Sequence, residues 1–339
     1  MSSIKDVAEL AGVSIATVSR YLNDPESIRK DNRARVAEAI AKVDYAPNAL
    51  AQNFRRGRTG IIMVILPSVG DPFFTDVMRG IARIAGERHY SILIRETGMN
   101  TSSLDEFSDI VLSKQADGII LLASTCPITP MRRRPGGARV APIILGCENV
   151  TPELGQLFSV RIDNQAAAAD MTRHLIELGH SNIGFITGAP GSELTADRER
   201  GYLAAMQQAG LAVQPGWIAC GMLTLEGARD ACRTLLAHRQ PPTAIFCAND
   251  EMAMGCIHQL KQASLAVPGD VSVAGFDDTR YAEVLDPPLT TVSQPAELIG
   301  EHTMLRILDA VDGIDIGTGP EILPHTLKIR QSTTAPGKQ

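Results

Sequence analysis

The chain has 339 residues, a net charge of −6 and 44% hydrophobic residues. This length exceeds one typical hydrophobic core, so we expect two or three domains. The six cysteines form no CxxC pair, which argues against a zinc site and a disulfide scaffold, and the sequence shows neither a signal peptide nor an apolar run that spans a bilayer. We therefore expect a cytoplasmic protein with reduced thiols, no metal and no cofactor.

Charge is distributed unevenly along the chain. Residues 1–60 contain ten Lys and Arg and seven Asp and Glu, a local net charge of +3, so the remaining residues carry −9. A mildly basic segment followed by an acidic body is typical of a DNA-reading domain attached to a domain with another task.

Residues 4–23 have the pattern of two short helices joined by a tight turn. Ser3 and Asp6 form a capping box at the start of the first helix, Gly12 permits the turn, and Ser14 caps the second helix. The apolar side chains expected to face inward are Val7, Ala8, Leu10, Val18 and Leu22. This pattern predicts a helix-turn-helix, whose second helix enters the DNA major groove. A helical hairpin buried in a larger core is the alternative, but such a hairpin would be apolar on most faces.

A third helix at residues 30–43 completes a predicted all-α domain at 1–44, and residues 45–59 follow as a hinge helix and basic linker. From residue 60 onward, strands alternate with helices in two series. This alternation predicts an α/β body with two lobes, each a doubly wound parallel sheet with helices on both faces. Ligands bind beyond the carboxyl ends of such strands, so we expect a cleft between the lobes.

Eight short motifs are distinctive. They are Lys5-Asp-Val-Ala8, Ala11-Gly-Val-Ser14, Thr17-Val-Ser-Arg20, Tyr45-x-Pro-Asn48, Asp71-Pro-Phe-Phe74, Lys114-Gln-x-Asp-Gly118, Gly275-Phe-Asp-Asp278 and Pro287-Pro-Leu-Thr-Thr291. Together they resemble the lactose/galactose repressor (LacI/GalR) family of bacterial transcription regulators, and most of all its cytidine-type members. The resemblance implies a periplasmic-binding-protein-like domain at 60–339, with a first lobe at about 60–160 and 291–320 and a second lobe at about 161–290 and 321–333.

The resemblance also implies a set of DNA-contacting residues. They are Ser14, Ile15, Ala16, Thr17, Ser19, Arg20, Asn23, Tyr45, Asn48 and Phe54. The apolar pair Ile15 and Ala16 fits thymine methyl groups, and Arg20 suits guanine, although a surface ion pair is the alternative for this arginine. Phe54 stands where relatives usually have a leucine that wedges into the minor groove, and packing against the hinge of a dimer partner is its alternative.

A second implied set contacts a small-molecule effector. It comprises Phe73, Phe74, Glu148, Arg198, Leu223, Asn249, Asp277 and Gln294. Its carboxylate, guanidinium and amide groups suit adjacent hydroxyls on a sugar or ribose, and its phenylalanine rings suit a base or a sugar face. Two alternatives stay open: Asp277 pairs with Arg198 alone, and Phe74 is a core residue.

The favoured function is a homodimeric, DNA-binding repressor controlled by a nucleoside or sugar effector. A dimer is expected because one head reads only half of a pseudo-palindromic operator, and residues 332–339 lack the leucine heptads of a tetramerising tail. Whether the effector weakens or strengthens DNA binding stays open. A carrier of sugars or nucleosides is the alternative, which fits the body but not the head.

An enzyme is not expected. The sequence lacks GxGxxG after the first strand, GxxxxGK[ST], GxSxG and any His/Cys cluster. The dispersed histidines are expected on helix surfaces: His89, His174, His180 and His258.

Overall fold

A computed structural model describes residues 3–45, 58–97, 115–122, 141–147 and 157–337. The chain divides into two compact units, a head at residues 1–60 and a body at residues 61–339. The sequence also predicts a helix at 102–114 and has an Arg-rich segment at 127–139, and both lie outside the described residues. Within those that are described, none of the helices has the length and apolar character needed to cross a lipid bilayer.

The described part of the head contains three α-helices: α1 (Ile4–Ala11), α2 (Ile15–Asn23) and α3 (Lys30–Val43). Their shared core consists of Val7, Ala8, Ala11, Val18, Val36 and Ala39. The prediction that Leu10 is buried is wrong, because its side chain is 51% exposed. Ala11 takes the inward position instead, since it lies three and four residues after Ala8 and Val7 and so completes their face of the helix.

The described residues of the body form two six-stranded sheets, one in each lobe. In chain order the strands are β1 (Ile61–Leu66), β2 (Ser91–Glu96), β3 (Gly118–Leu121), β4 (Ile143–Gly146), β5 (Phe158–Ile162), β6 (Ile183–Thr187), β7 (Ile218–Cys220), β8 (Ala244–Cys247), β9 (Ser272–Asp277), β10 (Thr290–Ser293), β11 (Gly319–Leu323) and β12 (Thr326–Lys328). The first-lobe sheet has the order β11-β5-β4-β3-β1-β2, and the second-lobe sheet has the order β12-β10-β9-β8-β6-β7. Every pairing is parallel except that of β10 with β12, which confirms the predicted fold class.

Helices cover both sheets. In the described residues of the body they are α4 (Pro72–Glu87), α5 (Asn164–Glu177), α6 (Glu193–Gln208), α7 (Leu225–Leu236), α8 (Asp250–Gln262) and α9 (Ala296–Val311). In the first lobe α4 packs on α9 at unusually short range. A Cβ added at Gly80 would lie 2.0 Å from the carbonyl oxygen of Glu297, and one at Gly300 would lie 2.0 Å from that of Val77. Only glycine permits this approach. The packing of α9 on α4 also means that the chain returns to the first lobe after it has built the second.

In the part of the body that the structure describes, the chain crosses between the lobes three times, at residue 163, at 294–295 and at 324–325. The sequence prediction placed these crossings near 160, 290 and 320, which is a few residues too early. The reason is strand pairing: β5, β10 and β11 each remain paired within their own sheet until the chain leaves it. Residues 291–293 therefore belong to the second lobe, and residues 321–323 belong to the first.

His180 is buried, so the prediction of a surface histidine is wrong at this position. Its Nδ1 lies 2.8 Å from Thr243 Oγ1, and its Nε2 lies 2.8 Å from the carbonyl oxygen of Thr334 in the C-terminal segment. The C-terminal segment that covers the ring is distant from His180 in the sequence, so the local pattern around the histidine could not predict its burial. Burial lowers the pKa of His180 below its ordinary value, which favours the neutral ring.

Candidate functional site

The second helix of the head has one face that the core leaves uncovered. Ser14 caps this helix by accepting a hydrogen bond from the backbone N–H of Thr17 at 3.1 Å, as predicted. Ile15, Ala16 and Arg20 are exposed, with Ile15 at 42%, and lie together on the uncovered face. Within the described part of the head no acidic side chain pairs with Arg20, so this face offers one cation beside two small apolar groups.

The other predicted DNA contacts occupy varied places. The Thr17 hydroxyl lies 2.9 Å from that of Ser14, and Ser19 is half-buried. Tyr45 is half-buried and packs against the core of the head. Asn23 ends the second helix, while Asn48 and Phe54 lie outside the described residues.

Arg35 of α3 has a role in the head that the sequence did not reveal. Its Nη2 donates to the carbonyl oxygen of Gly12 at 3.3 Å, which ties the third helix to the turn before the second. Gly12 has φ +61°, and a Cβ there would lie 2.4 Å from the same Arg35 atom. The turn therefore requires glycine both for its backbone angle and for this contact.

In the body, a pocket of about 230 Å³ lies where the two lobes meet. It is lined by Phe73, Asp76, Arg79, Asp277, Asp278, Thr279, Gln294, Pro295, Ala296, Glu297 and Leu298. The first lobe supplies the start of α4, the second lobe supplies the turn that follows β9, and the second crossing supplies Gln294 and Pro295. Three predicted effector residues, Phe73, Asp277 and Gln294, thus share one cavity.

Arg198 is held rigidly behind this pocket and is only 2% exposed. Its Nε donates to Asn164 Oδ1 at 2.9 Å, and its Nη1 donates to the carbonyl oxygen of Ala248. Its guanidinium also stacks 3.6 Å above the ring of Phe276. Nη1 lies 3.7 Å from Asp277 Oδ1, so the predicted arginine and aspartate are brought together.

Asp277 is buried and lies near two further acids, Asp250 and Asp71. Its Oδ1 accepts a hydrogen bond from Gln294 Nε2 at 2.7 Å. Burial raises its pKa well above the ordinary value, Arg198 opposes that rise, and the charges of Asp250 and Asp71 add to it. Burial likewise raises the pKa of Asp250 to about 7, although Thr291 Oγ1 donates to this carboxyl at 2.6 Å. The pocket wall itself carries four acids, Asp76, Asp277, Asp278 and Glu297, against one cation, Arg79.

Three predicted effector residues are engaged within the protein. Asn249 caps α8 by accepting from the backbone N–H of Met252 at 2.8 Å, and its Nδ2 donates to the carbonyl oxygen of Leu223 at 3.4 Å. The Leu223 side chain rests against Gly188, and the half-buried Phe74 packs on the first-lobe core. None of the three lines the pocket, and Glu148 lies outside the described residues.

Sequence reasoning missed several residues that organise the cleft. Asn164 and Phe276 hold Arg198, and Asp71 and Asp250 set the charge around Asp277. Asp71 and Asp250 each stand at a helix start, a position that could have indicated them. No cluster of three or more His, Cys, Asp or Glu side chains suited to a metal ion occurs among the residues that the structure describes.

Comparison with known proteins gives matches for both units. Residues 3–48 match the description "Bacterial regulatory proteins, lacI family", and residues 172–333 match "Periplasmic binding protein-like domain". The chain is 39% identical over 334 residues to the HTH-type transcriptional repressor CytR of Escherichia coli (strain K12), covering 98% of this chain and 97% of that protein. It is 35% identical over 302 residues to the ribose operon repressor of the same organism, covering 89% and 90%.

Among solved structures, the lac repressor dimer bound to operator and the anti-inducer ONPF is similar, with a TM-score of 0.86 and 25% identity. The similarity covers 98% of this chain and 99% of that chain. It therefore extends over the head and both lobes.

Proposed function

The chain belongs to the lacI family of bacterial regulatory proteins, and on that premise we propose that it is a homodimer whose effector, a nucleoside or a sugar, binds between the two lobes of the body. Family membership makes it a DNA-binding transcriptional repressor with an effector-binding domain, and not an enzyme. Its site of action is then chromosomal DNA in the cytoplasm.

The observation that carries this proposal is the pocket that unites Phe73 of the first lobe with Asp277 and Gln294. An aromatic ring, a carboxyl and an amide are the groups that hold a ring-shaped ligand bearing hydroxyls. The volume of about 230 Å³ lies just below the range of about 300–1,000 Å³ typical of drug-sized ligands, which suits a monosaccharide or nucleoside. The ribose operon repressor is named for a sugar, which supports the same class.

For the head, we propose that Ile15, Ala16 and Arg20 read base edges in the major groove. Their exposed face suits thymine methyl groups and one guanine. One head spans only half of an operator, so two copies are required for tight and selective binding. The lac repressor structure, which is a dimer on its operator, supports this assembly.

Regulation requires that the effector bind two arrangements of the protein unequally. Both lobes contribute residues to the pocket wall. A ligand in the pocket therefore favours the arrangement of the lobes in which both sets of residues contact the ligand. The free energy of that preference changes the affinity for DNA, and the response of the hinge determines whether the affinity rises or falls.

The first experiment is a thermal-shift screen of the full chain with nucleosides, pentoses, hexoses and purine bases. A ligand at one hundred times its Kd stabilises the folded state by about 2.7 kcal/mol. We expect one class to raise the Tm of the wild type but not that of Asp277→Ala, while Asp230→Asn, on an exposed helix surface, responds normally.

DNA binding is then measured by fluorescence anisotropy on an operator obtained by binding-site selection, with and without the ligand found in the screen. A fall in affinity identifies an inducer and a rise identifies a corepressor. A ligand that stabilises Asp277→Ala as strongly as the wild type would place the effector site elsewhere, and a screen with no hits would contradict the proposed effector class.

A further inference from the structure

The turn after β9 has a backbone conformation that side chains normally avoid. Asp277 has φ 118° and Asp278 has φ 58°, so two successive non-glycine residues lie at positive φ. Such residues persist only where their surroundings over-determine them. Since Asp277 lines the pocket, whatever maintains this turn also determines where its carboxyl points.

Three anchors hold the turn. Gln294 Nε2 donates to Asp277 Oδ1 at 2.7 Å, and the backbone N–H of Thr279 donates to Asp250 Oδ2 at 2.8 Å. Gln294 lines the pocket, and Asp250 is the first residue of α8. The third anchor is Arg330 of the C-terminal segment, whose Nη2 donates to Asp278 Oδ1 at 2.7 Å.

Arg330 is itself immobilised. Its Nη1 donates to the carbonyl oxygen of Leu289 at 2.8 Å, and its backbone N–H donates to Thr290 Oγ1 at 2.9 Å. Two residues further on, Ser332 is fully buried, and its Oγ donates to the carbonyl oxygen of Val273 at 2.6 Å. The arginine thus extends from a fixed backbone, and its planar guanidinium reaches a carbonyl oxygen and a carboxylate at once.

The ion pair of Arg330 with Asp278 is also sheltered from water, with side chains 20% and 16% exposed. Sheltered, charge-assisted hydrogen bonds are stronger than those on the surface and are weakly screened by salt. This pair is therefore able to impose a conformation on the turn, which an exposed pair would not do.

We propose that Arg330 is a positioning residue for the effector cleft, which it serves by holding the turn of Asp277 and Asp278 so that Asp277 presents its carboxyl to the pocket. Arg330 does not line the pocket. The proposal rests on the proposed function in one respect only, namely that the cleft binds the effector.

The test compares Arg330→Gln and Asp278→Asn with the control Arg233→Gln, in the full chain. Arg233 forms an ion pair with Asp230 on the exposed surface of α7, with side chains 56% and 70% exposed, and neither residue has a positive φ. Hydrogen exchange measured by mass spectrometry reports on the turn without any ligand. We expect faster exchange in Arg330→Gln, concentrated in peptides that span 276–289, and wild-type exchange in the control.

Affinity for cytidine and for D-ribose, measured by calorimetry, supplies the second readout. For whichever of the two ligands the wild type binds, we expect the affinity of Arg330→Gln to be at least about tenfold lower. Tenfold is the low end of the range for losing a hydrogen bond to a charged group. Asp278 also lines the pocket, so Arg330→Gln combined with Asp278→Asn is expected to lose no more than the weaker-binding of the two single variants, because both break the same link.

Exchange that is unchanged at the turn, or raised equally throughout the second lobe, would overturn the proposal. So would unchanged affinity in Arg330→Gln. If the wild type binds neither cytidine nor D-ribose, the proposed effector class is contradicted for these probes, and the exchange experiment still decides whether Arg330 holds the turn.

Discussion

The contact between α4 and α9 makes a sharp prediction, because α4 carries two glycines in opposite environments. A Cβ at Gly80 would lie 2.0 Å from the carbonyl oxygen of Glu297, whereas a Cβ at Gly86 would have no atom within 4 Å. Ordinary contact begins at 3.4 Å, so Gly80→Ala requires the two helices to separate by about 1.4 Å. Overpacking of this kind lowers the free energy of unfolding by about 1–3 kcal/mol. Gly86→Ala should instead raise it by about 0.5–1 kcal/mol, because the substitution reduces the backbone entropy of the unfolded chain.

The same substitution in one helix is therefore expected to shift stability in opposite directions. Thermal unfolding followed by circular dichroism should show a lower Tm for Gly80→Ala and an equal or higher Tm for Gly86→Ala, with about 2–4 °C for each kcal/mol. Since Phe73 lies in the first turn of α4 and Gln294 lies two residues before α9, separation of the helices should also weaken effector binding in Gly80→Ala alone. Equal effects from the two variants, or a stable Gly80→Ala protein, would refute the close packing on which this reasoning depends.

Three further predictions address the head, the buried acid and the core. Arg20→Ala should weaken operator binding about 5- to 150-fold, which is the range for one bidentate base contact, and should relax the preference at one guanine in a binding-site selection. The control Lys42→Ala, on the outer face of α3, should keep that preference. Asp250 holds its proton in the folded state up to about pH 7 but releases it near 3.8 when unfolded. The free energy of unfolding should therefore fall by up to about 1.4 kcal/mol per pH unit as the pH rises across that window. Asp250→Asn should flatten this slope in urea titrations, and parallel curves for the two proteins would contradict the assignment. Tyr202→Phe should cost about 1–2 kcal/mol in the same titrations, because it leaves the carbonyl oxygen of Ile183 buried without its 2.8 Å donor, and an unchanged midpoint would mean that water replaces the phenol.

Much of the secondary structure follows from short stretches of sequence. The helix at 30–43 has the bounds that the sequence predicted, and strands alternate with helices from residue 60 onward as predicted. These elements depend on caps, turn residues and hydrophobic period, which are encoded within a few neighbouring residues. The short strands β10, β11 and β12 were not predicted, because they exist only through pairing with strands distant in sequence.

The candidate sites were predicted in part. The uncovered face of α2 follows from helical period alone, and the capping role of Ser14 follows from a serine at the helix start. In the cleft, Phe73, Asp277 and Gln294 meet as expected, whereas Asn249 is engaged as a helix cap. An asparagine that follows a strand suits a cap or a ligand equally well by pattern, and only its neighbours distinguish the two.

The sequence by itself determined the class of protein, the alternation of strands and helices through most of the body, and the exposed face of α2, because these depend on local period, capping and short motifs. Only the tertiary structure decided which groups hold Arg198, which acids surround Asp277 and what stabilises its turn. Arg198 meets Asn164 from 34 residues away, and Arg330 meets Asp278 from 52 residues away. Such contacts arise when packed sheets and crossings bring distant segments together, and burial then alters the pKa of the groups they enclose.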